Sequence, residues 1–212
     1  INLRRMLTSI LFFVIVNKGG ESMELIFGSM YSGKTEELLR RLRRCTYAGQ
    51  SFVLFKPAID NRYSDNLVVT HDIGKTNKED TYAIKARVIK HPVEMLSSDI
   101  DNYQVVGIDE AQFFTDDLIT VVNQLESRGI RVIISALDLK SSGKPFNSLV
   151  GNLACLAKYV TKLHGVCVDC GSDGYISYKT DGTNTDIVDV GSVGKYICLC
   201  EKCAKRRDAY EK

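Results

Sequence analysis

The stretch from Gly28 to Thr35 reads GSMYSGKT and fits the pattern G-x-x-x-x-G-K-S/T. Its glycines let the backbone curl so that successive N–H groups point at phosphate oxygens, and a helix that begins there adds a favourable dipole. Lys34 would reach the β- and γ-phosphates of a nucleotide, and the hydroxyl of Thr35 would bind Mg²⁺. We therefore predict a phosphate-binding loop that uses ATP and Mg²⁺.

The residues around this loop have the apolar patterns that the motif requires. An apolar run at 23–27 predicts a strand that enters the loop, and the spacing of Leu38, Leu39 and Leu42 predicts a helix over 34–48. Further strands are predicted at 51–56, 83–89, 105–108, 131–137 and 160–163, with helices at 93–96, 115–127 and 148–159. This alternation is typical of an α/β fold, a parallel sheet with helices on both faces. The polar stretch 60–76 predicts a loop or lid.

A second motif, VVGIDE, ends the strand predicted at 105–108 with Asp109 and Glu110. In a P-loop fold we expect this strand to lie beside the strand at 23–27, so that Asp109 faces the Mg²⁺ held by Thr35, through water. The carboxylate of Glu110 would either accept the proton of an attacking hydroxyl or orient a water molecule, as in an ATPase. The spacing alone does not separate these two roles.

Five of the seven cysteines lie between residues 167 and 203, a pattern of metal sites rather than of secreted disulfides. Two C-x-x-C units supply four thiolates that suit tetrahedral Zn²⁺: Cys167, Cys170, Cys200 and Cys203. A structural role is expected, because four thiolates leave no open position on the metal. Cys198 leaves an alternative open, since Cys198 and Cys200 are a second possible pair.

The composition excludes several classes of function. The chain has 212 residues and 44% hydrophobic content, enough for one core with a small appendage. Its net charge of +2 gives no basic field, so neither nucleic acid nor a membrane is expected as a partner. An odd number of cysteines favours a reducing, cytoplasmic setting. Four arginines on the helix predicted at 34–48 are expected to form a solvated face: Arg40, Arg41, Arg43 and Arg44.

The first 22 residues precede the predicted fold. The apolar run 6–16 follows Arg4 and Arg5, as in a signal peptide, but it is too short to span a bilayer, and no small-x-small cleavage site follows. We therefore expect four segments: an extension at 1–22, a P-loop kinase domain at 23–164, a zinc-binding domain at 165–203 and a tail at 204–212. A hairpin turn is predicted at Asp181-Gly182.

Taken together, these motifs resemble the type II thymidine kinases, the family of the vertebrate cytosolic enzyme and of many bacterial ones. Besides the P-loop and the cysteines, the resemblance is carried by KPAIDNRY at 56–63, THD at 70–72, DEAQFF at 109–114, ALD at 136–138 and KPF at 144–146. It implies a RecA-like P-loop sheet with a small C-terminal zinc-binding lasso domain. It also implies an ATP-dependent thymidine kinase of DNA precursor synthesis, acting as a homotetramer with feedback inhibition by dTTP.

The resemblance also implies roles for individual residues. Glu110 matches the general base that takes the proton of the 5′-hydroxyl. The nucleotide and Mg²⁺ would be bound by Gly28, Ser29, Met30, Tyr31, Ser32, Gly33, Lys34, Thr35, Asp109 and Gln112. Phe113 matches the aromatic residue that stacks on the base, and residues 187–191 match the lasso segment whose backbone hydrogen-bonds it. The nucleoside site would therefore comprise Met30, Asp60, Arg62, Phe113, Leu137, Phe146, Ser177, Ile187, Val188, Asp189, Val190, Gly191 and Tyr196.

The sequence leaves other questions open. Ser141 stands where the family usually has a phenylalanine, so the packing around the base is undecided, as is the acceptance of deoxyuridine. The segment from Asp109 to Gln112 also resembles the box of a helicase-type ATPase, although such proteins need a second motor domain for which this chain is too short. A non-catalytic zinc-binding module is a further alternative. The intact set of Lys34, Thr35, Asp109 and Glu110 argues against it.

Overall fold

A computed structural model describes residues 23–58, 67–69, 83–181 and 194–210. Several sequence predictions lie outside these residues: the extension at 1–22, the roles of Asp60 and Arg62, and the lasso segment 187–191. The strands are β1 Glu24–Gly28, β2 Phe52–Pro57, β3 Leu67–Val69, β4 Ala83–Lys85, β5 Arg87–Ile89, β6 Val105–Ile108, β7 Arg131–Leu137, β8 Tyr159–Leu163, β9 Gly165–Val166, β10 Asp173–Gly174, β11 Ile176–Lys179 and β12 Tyr196–Leu199. The α-helices are α1 Lys34–Tyr47, α2 Asp117–Ser127, α3 Ser148–Leu156 and α4 Glu201–Tyr210.

A six-stranded parallel sheet forms the centre of the fold, in the order β5-β2-β6-β7-β1-β8. The predicted parallel α/β fold is confirmed, but the expectation that β6 lies beside β1 was wrong. Strand β7 lies between them: Val106 of β6 pairs with Val132, and Leu25 of β1 pairs with Ile134. Both faces of β7 are buried, as expected of a central strand, and an apolar run does not encode which neighbours it has.

Helices cover both faces of the sheet, as the alternation predicted. Helix α1 packs on one face through a stripe of Leu38, Leu39, Leu42 and Cys45, and Leu118 of α2 and Leu149 of α3 pack on the other. Helix α3 ends at Leu156 rather than at Tyr159, because Tyr159 begins β8. A 3₁₀ helix at Pro92–Leu96 replaces the short helix predicted at 93–96.

The secondary structure at 67–69 and at 83–89 differs from the sequence prediction. The strand predicted at 83–89 is two strands, because the chain leaves the main sheet at Ala86. Strand β5 joins β2, whereas β4 pairs antiparallel with β3, which lies inside the stretch 60–76 that was predicted to be a loop. Val68 and Ile84 of this small hairpin are buried in the same apolar cluster as α1, which accounts for the pairing.

The arginines of α1 do not all lie on a solvated face. Arg41 donates to Glu24 on β1, to Glu37 and to the hydroxyl of Thr161 on β8, at 2.6, 2.8 and 2.8 Å. Its side chain is 13% exposed, so the prediction of a solvated position was wrong for this residue. The sequence pattern missed it because the buried acid that attracts Arg41 lies on a different element.

A small C-terminal module follows β8. It contains the antiparallel pairs β9–β10 and β11–β12, and α4, with a core that includes Tyr178, Leu199 and Ala204. Strands β11 and β12 pair antiparallel with Lys179 opposite Tyr196, so their connection spans 180–195; the turn predicted at Asp181-Gly182 includes Gly182, which lies outside the described residues. Helix α4 crosses the predicted boundary at 203; the domain boundaries themselves stay predictions. Among the described residues, no helix has the length and apolar character to cross a membrane.

Candidate active site

The phosphate loop connects the carboxyl end of β1 to the first turn of α1. Gly33, just before the helix, has φ +80°, which a glycine adopts without strain, and Tyr31 also lies in the left-handed region at φ 62°. The hydroxyl of Ser32 and the ammonium of Lys34 both donate to the carbonyl of Ser29, at 2.8 and 2.6 Å. These two hydrogen bonds join residues within the loop and stabilise its conformation. Lys34 is buried, with 8% of its surface exposed. The fold therefore gives GSMYSGKT the strand–loop–helix context that phosphate binding requires.

The C-terminal module contacts this loop directly. The backbone N–H of Met30 donates to the hydroxyl of Ser177 at 2.9 Å, and the hydroxyl of Ser29 donates to the carbonyl of Gly174 at 3.4 Å. A Cβ atom at Gly174 would lie 2.6 Å from the sulfur of Cys198, so only glycine fits this approach. The phosphate loop therefore contacts β10 and β11, which belong to the C-terminal module.

Asp109 follows β6 and is 4% exposed. Its carboxylate accepts a hydrogen bond from the hydroxyl of Ser135, which lies on β7. Its backbone N–H donates to the carbonyl of Phe55 at 2.9 Å. Because the strands are parallel, Asp109 and the phosphate loop lie at the same edge of the sheet, with β7 between them.

Glu110 lies one residue further, in the left-handed conformation at φ 53° and ψ 42°. Its carboxylate accepts a hydrogen bond from the side-chain amide of Gln112, and its carbonyl accepts from the N–H of Phe113 at 3.1 Å. The other end of the Gln112 amide accepts from the N–H of Leu137 at 2.9 Å. Glu110 is half-buried, in contrast to Asp109 before it and Ala111 after it, which are buried.

An apolar wall lies next to these acids. The rings of Phe113 and Phe146 meet edge to face with centroids 5.9 Å apart, a favoured aromatic geometry. Leu137, at the carboxyl end of β7, is 8% exposed, and Phe146 is 7% exposed. Phe113 is half-buried, and its backbone N–H is bonded to the carbonyl of Glu110.

The four predicted zinc ligands come together. The sulfur atoms of Cys167, Cys170, Cys200 and Cys203 all lie within 4.8 Å of one another, and those of Cys170 and Cys200 are 3.7 Å apart. Tetrahedral ligands at the usual Zn–S length would be about 3.8 Å apart. Cys198 is not in this group: its sulfur lies 3.6 Å from the hydroxyl of Ser29, and burial raises its pKa. The structure therefore decides in favour of two C-x-x-C units.

The four thiols of the cluster differ in the direction in which their pKa values are shifted. Hydrogen bonds from Ser172 lower the pKa of Cys170, and a bond from the N–H of Cys203 lowers the pKa of Cys200. Burial raises the pKa of Cys167, but backbone hydrogen bonds, the largest from Cys200, lower it overall. Burial and the neighbouring sulfurs raise the pKa of Cys203 to about 12. Four sulfur atoms at this spacing match the ligand set of tetrahedral Zn²⁺, so these residues fit that ion.

Comparison with known proteins gives the family. The sequence model of the family "Thymidine kinase" matches residues 21–204. A thymidine kinase of Bacteroides thetaiotaomicron is 43% identical over 186 residues, covering 87% of this chain and 87% of that protein. A thymidine kinase of Porphyromonas gingivalis is 41% identical over 191 residues, covering 87% and 85%.

The chain belongs to the thymidine kinase family.

Solved structures add only a weak likeness to the family result. A DNA replication initiation factor matches at a TM-score of 0.40 and 12% identity, over 76% of this chain. Domain III of the replication initiation protein DnaA of Thermotoga maritima matches at 0.40 and 15% identity, over 71% of this chain. The match spans 46% of the first of these structures and 58% of the second, less than two thirds of either.

Within this thymidine kinase fold, the structure gathers most of the predicted site residues at one edge of the sheet. The phosphate loop, Asp109, Glu110, Phe113 and Leu137 follow strands whose carboxyl ends meet there. Ser177 contacts the loop rather than standing apart from it. Tyr196 is 8% exposed at the start of β12, with the ammonium of Lys179 6.0 Å from its ring centre.

Sequence reasoning missed two polar residues that serve the site. Ser135 supplies the hydrogen bond to Asp109 from inside the apolar strand β7, where a lone serine was the available signal. Asn147 donates from its amide to the carbonyl of Gln112 at 3.0 Å and accepts from the N–H of Val150 at 3.1 Å, so it also caps α3. An asparagine before a predicted helix was the signal for that cap.

Proposed function

We propose that the protein transfers the γ-phosphate of ATP to the 5′-hydroxyl of thymidine, giving dTMP and ADP. The observation that carries this proposal is the position of Glu110, a half-buried carboxylate that precedes the turn bearing Phe113 and lies at the same sheet edge as the phosphate loop. Membership of the thymidine kinase family supplies the substrate class.

Different residues of the chain have different roles in an in-line displacement at the γ-phosphorus. The carboxylate of Glu110 accepts the proton as the 5′-oxygen bonds to the γ-phosphorus and the bond to the β,γ-bridging oxygen breaks, with ADP leaving. Lys34 and the amides of the loop stabilise the charge that spreads over the phosphoryl oxygens. The transition state is loose, so positioning and charge stabilisation contribute more than the strength of the base.

Mg²⁺ would be held by the hydroxyl of Thr35 and the carboxylate of Asp109. These are oxygen ligands, which a hard cation prefers, and Asp109 is buried with one oxygen already fixed by Ser135. When bound, the ion would neutralise charge on the β- and γ-phosphates. Zn²⁺ at the four cysteines would have a structural role, since its coordination would be complete.

The selectivity for thymine is proposed to combine an apolar wall with backbone hydrogen bonds. Phe113 would stack on the base, with Met30, Leu137 and Phe146 around the ring, and Tyr196 would close the sugar side. Asp60, Arg62, Ser177 and the lasso residues 187–191 complete the proposed site. Cytosine presents the opposite donor and acceptor pattern at ring positions 3 and 4, so a site built for thymine would leave polar groups unpaired against it.

The family resemblance supports further parts of the proposal. The protein would act as a homotetramer, be inhibited by dTTP, and supply DNA precursors in the cytoplasm, where ATP is available. Exposed apolar residues on the edge strand β8, Tyr159 and Val160, support the assembly. Light scattering of the purified protein would give its mass and so its oligomeric state.

The test is a phosphoryl-transfer assay of the purified full chain with ATP and Mg²⁺ against thymidine, deoxyuridine, deoxycytidine and a purine deoxynucleoside. We expect dTMP from thymidine and no product from deoxycytidine. ATP hydrolysis without transfer to any nucleoside would contradict the proposal. In that case stimulation of the hydrolysis by DNA or RNA would favour the helicase-type alternative.

A further inference from the structure

The side chain of Gln112 connects the proposed base to the central strand of the sheet. Gln112 is 2% exposed, and both ends of its amide are engaged: one with the carboxylate of Glu110, the other with the N–H of Leu137. The chemistry of the partners fixes the orientation of the amide. A backbone N–H requires the oxygen end, so the NH₂ end faces the carboxylate as a donor.

The backbone around Gln112 is anchored as well. Its carbonyl accepts a hydrogen bond of 3.0 Å from Asn147, whose own amide oxygen caps α3. Glu110 is the N-cap residue of the 3₁₀ turn Ala111–Phe113. Contacts with β7, with the turn and with the start of α3 therefore fix the position of Gln112. The backbone of Glu110 is left-handed at φ 53°, a conformation that costs about 1 kcal/mol or more and persists only where surrounding contacts maintain it.

We propose that Gln112 is a positioning residue, which holds the Glu110 carboxylate in the orientation that receives the proton of the 5′-hydroxyl. This role rests on the proposed function, and it is a different role from the nucleotide contact that the family resemblance implies for Gln112. Because both ends of the buried amide are engaged by protein groups, its orientation does not depend on a bound nucleotide. Gln112 acts on the reaction only through Glu110.

The proposal has a kinetic consequence. The orientation of the base matters when the proton moves, so the loss of Gln112 lowers kcat and leaves the binding of ATP unchanged. A contact with the nucleotide would instead raise KM for ATP. A merely structural role would make the loss of activity follow the loss of stability.

Two substitutions separate these cases. Gln112→Met keeps the length of the side chain and removes both hydrogen bonds. Gln112→Glu keeps an oxygen for the N–H of Leu137 but replaces the donor to Glu110 with a like charge. Gln124→Met is the matched control, because Gln124 is exposed on α2.

The measurements are kcat, KM for ATP and thymidine, and the unfolding temperature of each full-length variant. Both Gln112 variants are expected to lose about tenfold to hundredfold in kcat, the range for a lost hydrogen bond to a charged group, with KM for ATP changed by less than about twofold. The two variants are expected to lose kcat to a similar extent although Gln112→Glu, which buries a like charge beside Glu110, is the less stable of the two. Gln124→Met is expected to match the wild type.

A double substitution tests whether Gln112 affects kcat through Glu110. In a Glu110→Gln background, Gln112→Met is expected to cause no further loss of kcat, because the group through which Gln112 acts is already gone. An additive loss of kcat in that background would overturn the inference. So would a loss of activity that follows the unfolding temperature, or a raised KM for ATP with unchanged kcat. Full activity of Gln112→Glu would overturn it as well. An inactive wild type overturns the proposed function and this inference with it, whereas an active wild type with an unaffected Gln112→Glu overturns the inference alone.

Discussion

The hydroxyl oxygen of Ser177 accepts a hydrogen bond of 2.9 Å from the backbone N–H of Met30, so the C-terminal module holds the phosphate loop from a distance of 147 residues along the chain. Met30 lies in the middle of the loop, and Ser177 is 3% exposed on β11. The shape of the nucleotide site therefore depends on a module that lies outside the central sheet.

The substitution Ser177→Ala is expected to weaken ATP binding. It leaves the N–H of Met30 without its partner, and a lost hydrogen bond of this kind costs about 1 kcal/mol, or about fivefold in the dissociation constant. Calorimetric titration with ATP and Mg²⁺ measures the change. Ser127→Ala, at the exposed end of α2, is the control, and equal affinities of the two variants would contradict the coupling.

Disruption of the zinc site is expected to weaken ATP binding through the same contacts. Cys200→Ser should lower the zinc content from about one ion per chain to well below that value, because three thiolates no longer complete the tetrahedron. The affinity for ATP should then fall, since β10 and β11 support Ser29 and Met30. Metal analysis and ATP titration check both parts. Cys155→Ser, at an exposed position on α3, should change neither quantity.

The ion network around Glu24 is expected to stabilise the fold. Glu24 is 8% exposed and binds Arg41 at 2.6 Å and Arg131 at 2.5 Å, joining α1, β1 and β7. Glu24→Gln leaves two partly buried arginines without their shared carboxylate and should lower the free energy of unfolding by about 3 kcal/mol.

Denaturant unfolding compares this variant with Glu201→Gln. Glu201 forms an exposed pair with Lys205, and the loss of such a pair is expected to cost about 0.5 kcal/mol or less. Similar losses for both variants would show that burial does not set the strength of these pairs.

The contribution of Glu37 to stability is expected to depend on pH. A hydrogen bond from Arg40, with further help from Arg41, lowers the pKa of Glu37 from 4.5 to about 2 in the folded protein. A carboxyl group whose pKa falls on folding stabilises the fold above its unfolded pKa and loses this effect as the pH falls through its folded pKa. Because Arg40 is largely exposed, solvent screening keeps the effect small.

The measurement for Glu37 is the difference in unfolding free energy between the wild type and Glu37→Gln, at neutral pH and near pH 3. The difference should favour the wild type at neutral pH and shrink in acid. A difference that stays constant or grows as the pH falls would contradict the assignment. Each comparison is made at one pH, so other acid-sensitive groups cancel.

Local patterns in the sequence predicted what depends on neighbouring residues. The phosphate loop, the acids that end β6 and the two C-x-x-C units all lie where their motifs place them. The order of the sheet could not be predicted in this way, because β6 and β7 are both apolar runs and only their packing decides that β7 is inserted beside β1.

Contacts between distant segments account for the rest of what was missed. Nothing near Arg41 in the sequence indicates Glu24, and nothing near Gln112 indicates Leu137. The choice between Cys198 and Cys200 also needed the structure, which places the sulfur of Cys198 against Gly174 and Ser29 and that of Cys200 in the cluster. Such side chains meet only when the sheet has formed.

The most direct test of the account is the rate of dTMP formation in a single turnover by Glu110→Gln, with ATP affinity measured on the same sample. Glu94→Gln, at an exposed position on the 3₁₀ helix Pro92–Leu96, is the matched control. We predict that Glu110→Gln binds ATP as the wild type does and forms dTMP at least about a hundredfold more slowly, in line with the usual contribution of a positioned base. Wild-type rates of dTMP formation by Glu110→Gln would contradict the central claim that this carboxylate receives the proton of the nucleoside.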